Sequence, residues 1–194
     1  MNVLICGDSF ASDWQVKYND YPGWVNLLAK QYTVTNRAQA GCSEYKIYKQ
    51  LLQEDLNNYD CVIISHTSPY RIPVEKHPVL NNDILHNHAD LIYTDIKDKN
   101  LPELTGIVDF FENYFHTEHA EFVHKLIIKE QQKYLNFKPT LHLCFYNLDV
   151  LETLKDHFCF EHIFKKNSGL INHMSEQGNQ QLYRVVNQWI NNVS

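Results

Sequence analysis

The segment Cys6-Gly7-Asp8-Ser9-Phe10 places a serine where a short apolar run gives way to a turn. A serine hydroxyl is a weak nucleophile until a base takes its proton. At a strand-to-helix turn its own backbone N–H, and those of neighbouring turn residues, can point at a developing oxyanion. Gly-Asp-Ser is also an ordinary turn sequence, because Asp and Ser are common turn formers and helix caps. The other end of the chain supplies what the serine needs. His173-Met174-Ser175-Glu176-Gln177-Gly178 puts an imidazole in a loop just before the last helical stretch. A histidine there can lie across a sheet from the first strand. Asp8, adjacent to Ser9, is expected to accept backbone hydrogen bonds that shape the turn, and it is counted with the residues facing a substrate.

These residues need elements to position them. Asn2 to Cys6 is a continuous apolar run ended by glycine, the pattern of a buried strand. A helix is expected from about Gly23 to Lys30, with Pro22 near its start, and a strand over Tyr32–Asn36. Ser43 is placed as N-cap of a helix running through Leu56, with apolar positions at Ile47, Leu51 and Leu52. Asp60 to Ser65 is the clearest buried strand. Residues 70–104 hold three of the six prolines and little periodicity, and read as a long irregular, lid-like insertion. Ile107 to Leu135 reads as helix, Thr140 to Tyr146 as strand, Leu148 to His157 as a short helix and Phe158 to Phe164 as a last short strand. Ser175 to Ile190 closes the chain as an amphipathic helix, with Leu182, Val185, Val186 and Trp189 on one stripe.

Strands alternating with helices predict one α/β domain over residues 1–194. The expected form is a three-layer α/β/α, flavodoxin-like sandwich around a mostly parallel sheet of about five strands. In such sheets sites form at the carboxyl ends of the strands. Gly7-Asp8-Ser9, Ala40-Gly41-Cys42 and His66-Thr67-Ser68 all fall at such ends.

Composition narrows the function classes. Hydrophobic residues make up 44% and charged residues 21%, and the net charge is −6. An acidic chain disfavours general nucleic-acid binding, which needs clustered Lys and Arg. No stretch approaches the ~20 apolar residues of a membrane span, and no signal peptide is visible. The five cysteines form no CxxC pair, and three of them (Cys6, Cys61, Cys144) sit in strand-like runs. They read as buried, reduced thiols. A cytoplasmic protein is expected, with no nucleic-acid or membrane partner, and nothing in the residues fixes an oligomeric state.

Taken together, these blocks resemble the SGNH hydrolase family, also called GDSL esterases and lipases. That family places its nucleophile in a Gly-Asp-Ser segment after the first strand, here Gly7-Asp8-Ser9-Phe10. Its second block is matched by Asn36-Arg37-Ala38-Gln39-Ala40-Gly41-Cys42-Ser43, which implies that Gly41 gives a backbone N–H to the oxyanion. Its last block, ending in the catalytic histidine, is matched by His173 to Gly178. The resemblance spans the chain in order, with residues 70–138 outside any motif. Two departures stand out. The third block usually reads Gly-x-Asn-Asp. Here it is His66-Thr67-Ser68-Pro69, so Ser68, or its neighbour Thr67, takes the place of the asparagine donor, with His66 as another donor. Losing such a donor costs ~10²–10³ in rate. The family's aspartate three residues before the histidine is Leu170 here, which leaves a Ser9–His173 dyad whose imidazole is oriented by another group, such as a backbone carbonyl.

The resemblance implies a serine esterase with no cofactor and no metal. The polar insertion favours a small acyl group, such as acetyl on a carbohydrate. A catalytically degenerate binding module, or acyl transfer to a sugar acceptor, would use the same residues. Arg71, just past a site-forming strand end, either binds an anionic or carbohydrate group or anchors the insertion. Among the eleven histidines, His86 and His88, and likewise His116 and His119, lack the spacing of a helical zinc motif. His124 reads as a helix-surface or packing residue, and the aromatics from Phe110 to Phe115 as core.

Overall fold

The computed structural model describes all residues except 17–19, 81–83, 98, 146–148 and 194. Strand β1 (Asn2–Gly7) leads through α1 (Trp24–Leu28) to β2 (Thr33–Asn36), and α2 (Glu44–Leu52) leads to β3 (Cys61–His66). The insertion carries α3 (Tyr93–Ile96), and α4 (Thr105–Asn113) and α5 (Thr117–Leu135) follow it. Next come β4 (Thr140–Cys144), β5 (His157–Cys159), α6 (Glu161–Lys166), β6 (Ser168–Ile171) and α7 (Glu176–Val193). The five-stranded sheet has the order β2-β1-β3-β4-β5, and its four pairings are all parallel.

The sheet is apolar on both faces, as a parallel sheet covered by helices must be. Val3, Ile5, Cys61, Ile63, Leu141 and Leu143 pack with Trp24, Leu28, Ile163, Leu182, Val186 and Ile190 of α1, α6 and α7. Their alternates Leu4, Cys6, Val62 and Ile64 pack with Ile47, Leu51 and Leu135 of α2 and α5. Cys6, Cys42, Cys61 and Cys144 are buried and unpaired, and burial pushes their thiols up. Chain order reverses between β1 and β3, the switch point outside whose carboxyl ends ligands bind in open sheets of this kind.

Several boundaries differ from the sequence reading. The long helix from Ile107 is two helices, because His116 starts α5 anew by accepting the His119 N–H at 3.2 Å. The helix expected over 148–157 reduces to a 3-10 turn at Leu151–Thr153; Leu148 lies outside the described residues. The strand expected over 158–164 ends at Cys159, and α6 takes the rest. Strand β6, not expected, pairs only with Met174, outside the main sheet. Ser43 does precede α2, but its hydroxyl makes no cap bond. No helix among the described residues is long and apolar enough to cross a membrane.

Candidate active site

The turn carrying Ser9 is fixed by its carbonyls. Asp8 O accepts the Ala11 N–H and the Ser12 hydroxyl, and Ser9 O accepts the Trp14 indole at 2.7 Å and the Asn172 amide at 3.4 Å. Phe10 O accepts the Trp24 indole, Ala11 O the Asn36 amide and Ser12 O the Asn172 amide. Five consecutive carbonyls are thus satisfied, mostly by side chains from distant elements. The Ser9 and Gly41 N–H groups, by contrast, donate to no described residue, and the Ser9 hydroxyl has no described partner. Saturated acceptors and unengaged donors are what an oxyanion site requires.

Gly41 holds φ +78°, and a Cβ there would lie 2.8 Å from the Ala89 Cβ. Both conditions demand glycine. The insertion makes this contact. Asp90 donates its N–H to Gly41 O at 2.9 Å, and its buried carboxylate accepts from Ser43 N and Val74 N and pairs with Lys46 at 2.7 Å. An Ile72–Leu91 bridge closes the segment. The insertion is therefore docked on the second-block turn.

Asp8 is buried, and its carboxylate accepts from Phe10 N and the Ser65 hydroxyl. Burial raises its pKa to about 6, against the pull of Arg71, Phe10 N and the Thr67 hydroxyl. It shapes the turn, and its oxygens point inward. The Thr67 hydroxyl lowers the Asp8 pKa and accepts the Arg71 Nε–H at 3.2 Å, so it faces the Asp8–Arg71 side of the turn. Arg71 also donates to Gly41 O at 3.3 Å and lies 3.6 Å from Asp95. Of its two sequence roles, these contacts show the anchoring one. Ser68 accepts the Tyr70 N–H and lines a cleft, which leaves its proton to give.

His66 does not face a ligand. Its Nδ1 lies 2.9 Å from Glu44 and its Nε2 2.9 Å from His142, both in the core. His124, also buried, donates to Thr67 O and lies 3.3 Å from Glu44, while Gln131 donates to Glu44 at 2.8 Å. Burial alone would raise the Glu44 carboxyl. The His66 and His124 rings outweigh that and hold it well below the ordinary range. Among the described residues, no three His, Cys, Asp or Glu side chains gather as a metal site.

His173 comes to the Ser9 turn from the opposite end of the chain. Its ring lies 4.8 Å from the Phe10 ring and 5.5 Å from the Trp14 ring. Burial pushes its pKa down to about 4, helped by Arg71 and opposed by Asp95. The imidazole is thus neutral at pH 7, the state a general base needs. No hydrogen bond joins it to Ser9 among the described residues, and in ligand-free sites such bonds commonly tighten only with substrate. Leu170, at the family's acid position, is an exposed residue of β6.

Sequence reasoning passed over Glu44, Gln50, Asp90 and Asn172. Gln50 clamps the end of β1 by accepting from Gly7 N and donating to Gly7 O. A signal existed for two of them: Glu44 and Gln50 fall on the buried face of α2 with Ile47 and Leu51, polar residues at core spacing.

This is a doubly wound α/β sandwich whose candidate site lies at its strand-order switch. No protein-family model and no curated protein matches the chain. Among solved structures it is similar to one from Desulfitobacterium hafniense DCB-2, provisionally described as a lipolytic protein of the G-D-S-L family. The two superpose with a TM-score of 0.50 at 12% identity, covering 100% of this chain and 99% of that one. At that identity the likeness concerns the fold, which the two chains share from end to end.

Proposed function

We propose that this protein is a serine hydrolase of ester bonds, with Ser9 as nucleophile and His173 as base. The observation that carries the reading is the Ser9 turn itself: every carbonyl is satisfied, its N–H and that of Gly41 are left to donate, and a neutral imidazole packs beside it. Ser9 attacks the acyl carbonyl as His173 takes its proton. The two N–H groups and the Ser68 hydroxyl meet the oxyanion. His173 then protonates the leaving alcohol, and water cleaves the acyl-enzyme by the same steps in reverse.

A cleft of about 610 Å³ opens beside Ser68, with Tyr70, Tyr93, Phe111 and Phe115 as walls and Glu121 and Asp149 among its polar groups. Aromatic walls with a few polar acceptors suit an alcohol portion such as a sugar. A small acyl group, such as acetyl, is the proposed group that the alcohol carries and that passes to Ser9 as the alcohol leaves. The missing acid beside His173 favours a second reading, a binding module with this fold that turns over slowly or not at all.

Treatment with a serine-directed fluorophosphonate probe separates the two. The wild type is expected to label at one site, Ser9→Ala to lose labelling, and His173→Ala to label at least ~10²-fold more slowly. Undiminished labelling of Ser9→Ala would refute the assignment.

A further inference from the structure

We propose that Asn172 is a positioning residue that ties the base turn to the nucleophile turn and takes over part of the orienting work of the missing acid. The proposal rests on the Ser9–His173 reading. Asn172 is completely buried, and its Nδ2 donates to Ser12 O at 2.9 Å and to Ser9 O at 3.4 Å. One side chain thus spans from the residue preceding the base to the carbonyl of the nucleophile. The two carbonyl acceptors also fix which way the amide points.

The rest of the turn is built around this reach. Asn172 and His173 both adopt left-handed backbone, φ 49° and 59°. The turn closes through His173 N to Leu170 O at 3.1 Å and Gly169 N to His173 O at 3.1 Å. That backbone sets the direction in which the Asn172 and His173 side chains leave the turn and narrows their rotamers. The ring then rests on Phe10 and Trp14, and Trp14 is itself bonded to Ser9 O. Base and nucleophile are therefore positioned by one connected set of contacts.

The tether carries a cost that the fold accepts. The Asn172 Oδ1 is buried and has no hydrogen-bond partner among the described residues. It fits only because residue 23 is glycine, since a Cβ there would lie 2.0 Å away. A buried acceptor without a partner is unfavourable. Asparagine also tolerates left-handed backbone better than most residues, but glycine tolerates it too and would leave nothing unpaired. What asparagine adds is the donor.

Asn172→Gly in the full chain keeps the backbone and removes the donor. Fluorophosphonate labelling is expected to slow by about 10–100-fold, the scale at which a displaced reacting group loses rate. By NMR, the titration midpoint of the His173 ring is expected to rise from about 4 toward the ordinary ~6.5 as the ring gains water. The groups whose charge acts on that ring are Arg71, Asp95 and His86. Wild-type labelling rate and wild-type midpoint in Asn172→Gly would overturn the proposal. Should that variant unfold, Asn172→Asp keeps the volume and sets an acceptor against the two carbonyls. Its labelling is expected to recover on acidification, when the carboxyl regains a proton to donate, and a wild-type pH profile overturns the proposal. A wild type that never labels, with a midpoint that still moves in Asn172→Gly, refutes the esterase reading and leaves the tether standing.

Discussion

Two histidine-bearing regions lie on opposite faces of the sheet, and their bonding differs. Behind β3, Glu44 accepts from Gln131 and the Thr67 N–H and pairs with His66 and His124, while His66 passes its other nitrogen to His142. In front, His173 rests on aromatic rings with no described hydrogen bond to its nitrogens, and the Ser9 hydroxyl is equally unengaged. His66, His124 and His142 are buried and His173 only half-buried, and bonding sets the two regions further apart. A saturated cluster has spent its polar groups on the fold. A region that spends its carbonyls and reserves its hydroxyl, imidazole and N–H groups has something left for a ligand.

The sharpest way to break this comparison is to remove one residue from each side. Glu44→Ala strips four donors of their shared acceptor. Removing one partner of a buried ion pair costs ~3–5 kcal/mol, a fall of roughly 6–20 °C in Tm for a chain of this size. Ser9→Ala is expected to shift Tm by no more than about 2 °C while abolishing labelling. Thermal unfolding and probe labelling of the same two variants check this together. If Ser9→Ala unfolds as readily as Glu44→Ala, the front region is structural and the distinction fails.

Thr67 joins the two regions and offers an intermediate test. Its backbone belongs to the rear cluster, through Glu44 and His124, and its hydroxyl to the front, through Asp8 and Arg71. Thr67→Val keeps the shape and the backbone bonds but removes the hydroxyl, at a cost of ~1–3 kcal/mol. It is also expected to raise the Asp8 pKa further, because the Thr67 hydroxyl lowers it. Urea unfolding measures the first effect, and carboxyl titration by NMR the second. A Thr67→Val variant with unchanged Asp8 titration would show that the hydroxyl does not serve the carboxylate.

The sheet and the three strand-end turns were legible in the sequence, because runs such as Cys61–Ile64 and the glycine punctuation at Gly7 and Gly41 are local signals. The rear cluster was not. His66 was read as a donor to substrate because it ends a site-forming strand, and sequence position cannot tell which face of the pleat a side chain takes or what α5 brings against it. His124 and Gln131, some sixty residues further on, supply that answer. Asn172 was passed over for the opposite reason. Adjacent side chains rarely act together, yet two consecutive left-handed residues turn the asparagine inward to Ser9 and leave the histidine on Phe10. The anchoring of residues 70–104 was hidden too, since Asp90 acts through backbone N–H groups of Ser43 and Val74 that carry no sequence signature.

The smallest expected effect weighs one histidine from each region against the Asp8 carboxyl. His173 and His142 fall from 6.5 to about 4 and about 3, mainly by burial, and Asp8 rises from 3.8 to about 6. Between pH 4.5 and 6 the unfolded chain binds more protons at both histidines, so their contribution is full above pH 6.5 and is lost as pH falls. Asp8 runs the other way, because the folded state holds its proton and its contribution is lost as pH rises through about 6. Two groups against one leave a net slope of about one proton, or ~1.4 kcal/mol per pH unit, with stability rising with pH. Asp8→Asn removes the opposing group, so its unfolding free energy is expected to fall about twice as steeply with acidification across that window. Equal slopes for wild type and Asp8→Asn would mean that the Asp8 carboxyl titrates near its ordinary value, and that the front region is wetter than its packing indicates.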